Sequence, residues 1–133
     1  MRDILRVGED AYFIGAKLAW WDPRLKTFTE QFLKEAERKN IKFYHIFDEI
    51  VRREGGETIK ELNKRNMPYL FLPEKYATNS TLDFFGDQIV TWHGISLKKL
   101  HDDVTLFVLR DKGLADNYKT WWQFMWDSLS KKK

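Results

Sequence analysis

The chain of 133 residues contains no cysteine. Disulfide bridges and thiolate metal centres are therefore excluded. Proline is scarce, at three residues, and the seven glycines are dispersed, so neither a low-complexity tract nor a linker interrupts the chain. No apolar run approaches the length that spans a bilayer, and Met1 to Asp10 is too polar for a secretory signal. Charge of one sign is lacking as well. The 23 basic residues face 20 acidic ones, for a net charge of +3, and much of the excess is the terminal Lys131, Lys132 and Lys133. Acids and bases interleave elsewhere, without the basic stripe of a nucleic-acid binder. Three terminal lysines read as a solvated end. A cytoplasmic location without membrane contact is the expectation.

What is present is globular material with a heavy aromatic load. Apolar residues make up 43% and charged residues 32%, enough for one domain with its own core. Aromatic residues reach 16% and include six tryptophans, among them the pairs Trp20-Trp21 and Trp121-Trp122. Such rings fill the core of a small domain or stack on a ligand.

The apolar pattern alternates between strands and helices. Residues 11–19 are a short apolar run and predict a buried strand. Asp22-Pro23 is a helix start, with Asp as N-cap and Pro in the first helical position. Leu25, Phe28, Phe32, Leu33 and Ala36 then form one apolar stripe of a helix that stops near Asn40. Ile41 to Asp48 predicts a second strand, with Ile41, Phe43, His45 and Phe47 on one face. Strand, helix, strand implies parallel pairing through a right-handed crossover.

Gly55-Gly56 divides residues 49–66 into a helical turn, a loop and a helix around Glu57 to Lys64. Met67 to Pro73 predicts a short third strand. Leu82 to Phe85 and Ile89 to Trp92 flank Gly86-Asp87, the signature of a β-hairpin with a type II′ turn. A polar link over 96–103 leads to a last strand at Val104 to Arg110, whose apolar content places it in the centre of the sheet. The final helix runs from near Asp111 to about Ser130. Leu114, Tyr118, Trp121, Trp122, Met125 and Leu129 give it a face too wide to leave exposed.

No catalytic constellation accompanies this frame. The glycines match no nucleotide-binding fingerprint. His93 and His101 flank a loop that also holds Asp102 and Asp103, but their spacing fits no familiar metal site. His45 lies mid-strand, where a neutral, hydrogen-bonded imidazole is the default. None of Ser80, Ser96, Ser128 and Ser130 sits in a nucleophile elbow. Neither a metal nor a cofactor is expected.

Three segments carry a family resemblance. The first is Asp10-Ala-Tyr-Phe-Ile-Gly-Ala, followed by Asp22-Pro23 and its helix. The second is Ser80-Thr81-Leu82-Asp83-Phe84-Phe85-Gly86-Asp87-Gln88-Ile89-Val90. The third is Val104 to Asp111, then Lys112 to Tyr118 and Trp122 to Trp126. In this order they resemble the C-terminal, phospholipase-D-like domain of archaeal TrmB-type transcription regulators. Ala115-Asp116 and Phe124-Met125-Trp126 approximate the family's closing signature, with one residue fewer between Phe124 and Trp126.

The resemblance implies an α/β fold over residues 1–133, a phospholipase-D-like mixed sheet of about six strands with helices on both faces. Active members carry His-x-Lys-x-x-x-x-Asp, where the His attacks phosphorus and the Lys stabilises charge. With Asp87 aligned to the motif's Asp, the His falls on Ser80 and the Lys on Leu82, so the chain is expected not to be an enzyme. It also implies a sensor or dimerisation domain of a transcription regulator, binding a sugar-like effector near Trp20, Trp21, Asp48, Ser80 and Thr81. Trp20 and Trp21 stack on such a ligand or cap the core. A homodimer is expected. Nothing before Ala11 has room for a winged helix-turn-helix, so DNA contact is expected only through a separate domain or protein. Two alternatives stay open. One is an interaction module without a small ligand, motivated by the last helix. The other is a phosphodiesterase or nuclease with displaced groups among His45, His93 and Asp87.

Overall fold

In the computed structural model, which describes residues 2–131, the strand-helix-strand pattern of the N-terminal half becomes a parallel βαβ unit. Strand β1 is Ala11–Ala16 and strand β2 is Phe43–Phe47. They pair in parallel with Phe13 beside His45. The crossover starts where expected. Asp22 Oδ1 accepts the Arg24 backbone N–H at 3.0 Å, and Pro23 opens a single 3₁₀ turn, Pro23–Leu25, ahead of helix α2, Lys26–Arg38. Helix α1, Arg2–Val7, precedes β1 and was not foreseen; its six residues are too few for a periodic signal.

Past β2 come two short helices, α3 (Glu49–Glu54) and α4 (Gly56–Lys64), broken at Gly55. The third strand, β3 (Tyr69–Phe71), pairs in parallel with β2. The second half is antiparallel. Strand β4 (Ser80–Phe85) pairs with β1, and β5 (Gln88–Ser96) pairs with β4 through the two-residue loop Gly86-Asp87. Gly86 has φ +57°, as the first position of a type II′ turn requires. A Cβ there would lie 2.7 Å from Val7 Cγ1, so the packing of α1 also demands glycine.

The polar stretch before the last strand is not a link. Ser96 pairs with Lys99 across Leu97-Lys98, making a second tight hairpin, and β6 runs from Lys99 to Arg110. Nor is β6 central. The sheet order is β3-β2-β1-β4-β5-β6, so the strand with the apolar run Leu106 to Leu109 is an edge. Leu106, Phe107, Val108 and Leu109 are 47–59% exposed. An apolar run signals that a strand must be covered; it does not say that its own chain supplies the cover.

The six-stranded mixed sheet has helices on both faces. Phe13, Phe43 and Phe47 pack with Phe32, Leu33, Ala36, Val51 and Leu62 from α2, α3 and α4. Ile46, Phe84 and Ile89 point the other way, onto Ala115 and Trp122 of helix α5, Lys112–Ser130. Asp111 caps α5 by accepting the Leu114 N–H at 2.8 Å. Trp122, 2% exposed, donates Nε1–H to the Phe13 carbonyl at 3.0 Å. Trp121 (62%) and Phe124 (72%) are left on the outer side of α5. The Lys132-Lys133 end of the basic tail lies outside the described residues.

Candidate functional site

The carboxyl ends of β1 and β2 are where a ligand crevice was expected. A buried cation of the chain stands there beside a small cavity. Gly15 forms a bulge at φ +75°, packed so tightly that a Cβ would lie 2.8 Å from the Ser80 carbonyl oxygen. Past the bulge, Lys17 turns inward with only 4% exposure. Its Nζ donates to the Gly15 carbonyl at 2.6 Å and the Ser80 carbonyl at 2.8 Å, and lies 3.1 Å from Asp48 Oδ2. Asp48 is 2% exposed and also accepts the Thr78 N–H at 3.3 Å. Burial lowers the Lys17 pKa, and the Asp48 carboxylate opposes that shift.

Beneath this ion pair is a cavity of about 90 Å³ lined by Lys17, Trp20, Trp21, His45, Asp83 and Trp92, among others. The sheet register accounts for the polar members. His45, Phe13 and Asp83 lie side by side on β2, β1 and β4, pointing to the α2 face. The His45 ring stacks between Phe13 and Phe47 at 4.5 and 4.8 Å, with Nδ1 unpaired. Burial brings its pKa down to about 3. Asp83 accepts Trp92 Nε1–H at 3.0 Å on Oδ2, while Oδ1 has no partner. Burial pushes its carboxyl up to about 7, against the pull of the Trp92 hydrogen bond.

The expected site residues divide between places. Trp20, Trp21 and Thr81 line the cavity. Trp20 also meets Phe13, Phe32 and Phe43 edge-on at 4.9–5.4 Å, and Trp21 Nε1–H is tied to Glu61 of α4 at 3.1 Å. Asp48 stands behind Lys17. The Ser80 hydroxyl lies 2.8 Å from His93 Nδ1, and Ser80 lines an open apolar groove of about 810 Å³ between α5 and the sheet. Lys17, Asp83 and Trp92 were missed. A charged residue on the inward register of a buried strand was the available signal for Asp83, and Lys17 inside an apolar run was the signal for the ion pair.

The possible catalytic groups do not converge. His45 is buried on the α2 side, Asp87 sits in the hairpin turn, and His93 is near the opposite end of that hairpin. His93 and His101 are not loop residues; they stand on β5 and β6, where His101 Nε2 lies 3.0 Å from Ser96 Oγ. Ser80 and His93 form a nucleophile–base pair in distance alone. Among the described residues no carboxylate hydrogen-bonds His93 to orient it. No three metal-ligating side chains gather among the described residues.

The remaining feature is the apolar surface. Thr91 on β5 lines the groove beside α5 and pairs directly with Phe107 of β6. The groove therefore continues onto the exposed edge strand. Phe107 and Leu109 share the α5 side, while Leu106 and Val108 share the α2 side with Trp92 and Val90.

The arrangement is that of an α/β domain with a mixed six-stranded sheet and an uncovered apolar edge. No protein-family model matches the sequence, and no curated protein matches it. In fold the chain is similar to TrmBL2, an archaeal chromatin protein whose structure shows a novel mode of DNA binding. The TM-score is 0.56 at 9% identity, over 96% of this chain and 48% of that one. The chain thus spans about half the length of TrmBL2, and the likeness is one of fold. No helix among the described residues is long and apolar enough to cross a membrane.

Proposed function

We propose that this chain is a non-catalytic, self-associating domain of a TrmB-like transcription regulator or chromatin protein, with a phospholipase-D-like fold. The observation that carries the proposal is the uncovered apolar surface, four consecutive apolar residues on β6 together with Trp121 and Phe124 on α5. Exposed apolar surface of this extent, here on both faces of the β6 edge, marks an interaction site in soluble proteins. The fold likeness to TrmBL2 supports the regulator assignment. Ser80 and Leu82, at positions where phosphoryl transfer needs imidazole and ammonium, support the absence of catalysis. DNA contact in this proposal belongs to a separate domain or protein.

Self-association is tested by measuring mass against concentration by sedimentation or light scattering. A dimer is expected, and Phe107→Glu or Trp121→Glu shifts it toward monomer. A strict monomer at high concentration refutes the proposal.

A second reading is favoured by the cavity under Trp20 and Trp21, where aromatic walls meet the partly unpaired carboxyl of Asp83. Its role would be to sense a small effector such as a sugar. The volume, about 90 Å³, is well below the roughly 300 Å³ at which small-molecule sites begin. A sugar ring would enter only as the Trp20-Trp21 turn moves outward.

A further inference from the structure

Among the described residues no strand lies beside the outer edge of β6; the Leu100 N–H donates to Asp22 Oδ2 at 3.1 Å and the Leu100 carbonyl accepts from Arg24 Nη2 at 2.6 Å, and the backbone edge past that point is open. Edge strands are ordinarily guarded by lysine, proline, charge or a bulge. From Thr105 to Leu109, β6 has none of these; the irregularity in its pairing with β5 takes in residues 101–104, between the Leu100 and Thr105 pairs. The charges stand at the ends of the open segment, with Asp102 and Asp103 at one end, where Arg24 Nη1 lies 3.7 Å from Asp102 Oδ1, and Arg110 at the other.

We propose that the occupant of this edge is a second copy of the chain, with β6 paired antiparallel to β6 about a two-fold axis through Leu106. This rests on the self-association proposed above and specifies its surface and register. Parallel pairing would set Asp102 and Asp103 beside their own copies, and like charges opposite each other destabilise a sheet. Antiparallel pairing brings the acidic end of one strand to the basic end of the other. A two-fold axis perpendicular to the sheet keeps each face continuous, so paired residue numbers must sum to an even value.

The even registers are not equivalent. Centring on Phe107 sets Asp103 against Asp111 and Asp102 against Lys112 on both sides, and both partners lie beyond the end of β6 in the cap and first turn of α5. Centring on Thr105 sets Asp102 against Val108 and Asp103 against Phe107. Centring on Val108 shortens the overlap and leaves both aspartates unmatched. Centring on Leu106 sets Asp102 against Arg110 twice, Val104 against Val108 twice, and Leu106 against itself, with Asp103 beside Leu109 at the margin. Opposite charges then bracket an apolar centre, and the two six-stranded sheets become one continuous sheet.

The absence of native cysteine makes the register directly readable. Single cysteines at positions 104 to 108 of the full chain are oxidised, or bridged with a short thiol-reactive linker, in the native protein. Crosslinking is expected to peak sharply for Leu106→Cys, whose side chain meets its own copy about 5 Å away. Mixing Thr105→Cys with Phe107→Cys should give the crosslinked heterodimer in preference to either homodimer. Asp102→Arg and Arg110→Asp should each raise the dimer dissociation constant, and the double exchange should restore it. A peak at another position overturns the register. A dimer that never crosslinks through β6, yet dissociates on Trp121→Glu, overturns the edge pairing and leaves self-association standing. A monomer at all concentrations overturns both.

Discussion

Asp83 and His45 lie on one row of the sheet, and burial shifts their pKa values in opposite directions, past each other. The Asp83 carboxyl rises from 3.8 to about 7. Between those values the folded state holds a proton that the unfolded chain has released. The stabilisation is complete below pH 3.8 and is lost as pH rises through about 7. At about 1.4 kcal/mol per pH unit this amounts to about 4 kcal/mol. His45 falls from 6.5 to about 3. In that window the unfolded chain takes up a proton that the folded state excludes. Its contribution is present above pH 6.5 and is lost toward pH 3, by about 5 kcal/mol.

The two slopes have opposite signs over nearly the same window. The wild type is therefore expected to be almost level in stability between about pH 4 and 6.5 as far as this pair is concerned. Asp83→Asn keeps an acceptor for the Trp92 N–H and removes one slope. Its stability should then climb with pH from about 4 to 6.5, following His45 alone. His45→Phe keeps a ring between Phe13 and Phe47, and its stability should fall as pH rises over the same interval. Urea denaturation at half-unit pH steps measures both. Variants whose profiles run parallel to the wild type would refute the assignment of these shifts to burial in a shared row.

Lys17→Met should destabilise the fold by about 3–5 kcal/mol, because it leaves the Asp48 carboxylate buried without its cation. Adding Asp48→Asn should recover much of the loss, and denaturant titration of the single and double variants checks both. For effector sensing, a monosaccharide panel should raise the melting temperature of the wild type and not of Trp20→Ala. No shift with any sugar, alongside a concentration-dependent dimer, would remove the sensing role and leave self-association.

Much of the frame was legible in the chain. Asp22-Pro23 and Asp111 announced their helices because an N-cap carboxylate satisfies backbone donors only a few residues away. Gly86-Asp87 announced its hairpin because the positive φ of that turn is a local demand on one residue. The alternation on β2 placed His45 on an inward face. The second hairpin was missed because Leu97-Lys98 carries no glycine, although Lys98 takes up φ +54°. The ion pair was not legible, since Lys17 and Asp48 are 31 residues apart and meet only through the register of β1 and β2 and the bulge at Gly15.

The sequence by itself determined that the chain alternates strand and helix, that it makes no disulfide, and that β6 and α5 carry more apolar surface than one layer needs. Those are properties of residue type and local spacing. Only the tertiary structure decided that β6 stands at the edge, that Lys17 is buried against Asp48 beside the cavity under Trp20 and Trp21, and that Asp83 and His45 share a buried row. Each of these depends on which strand lies next to which. Strand order is set by the packing of residues far apart in sequence, and hydrophobic periodicity carries no information about it.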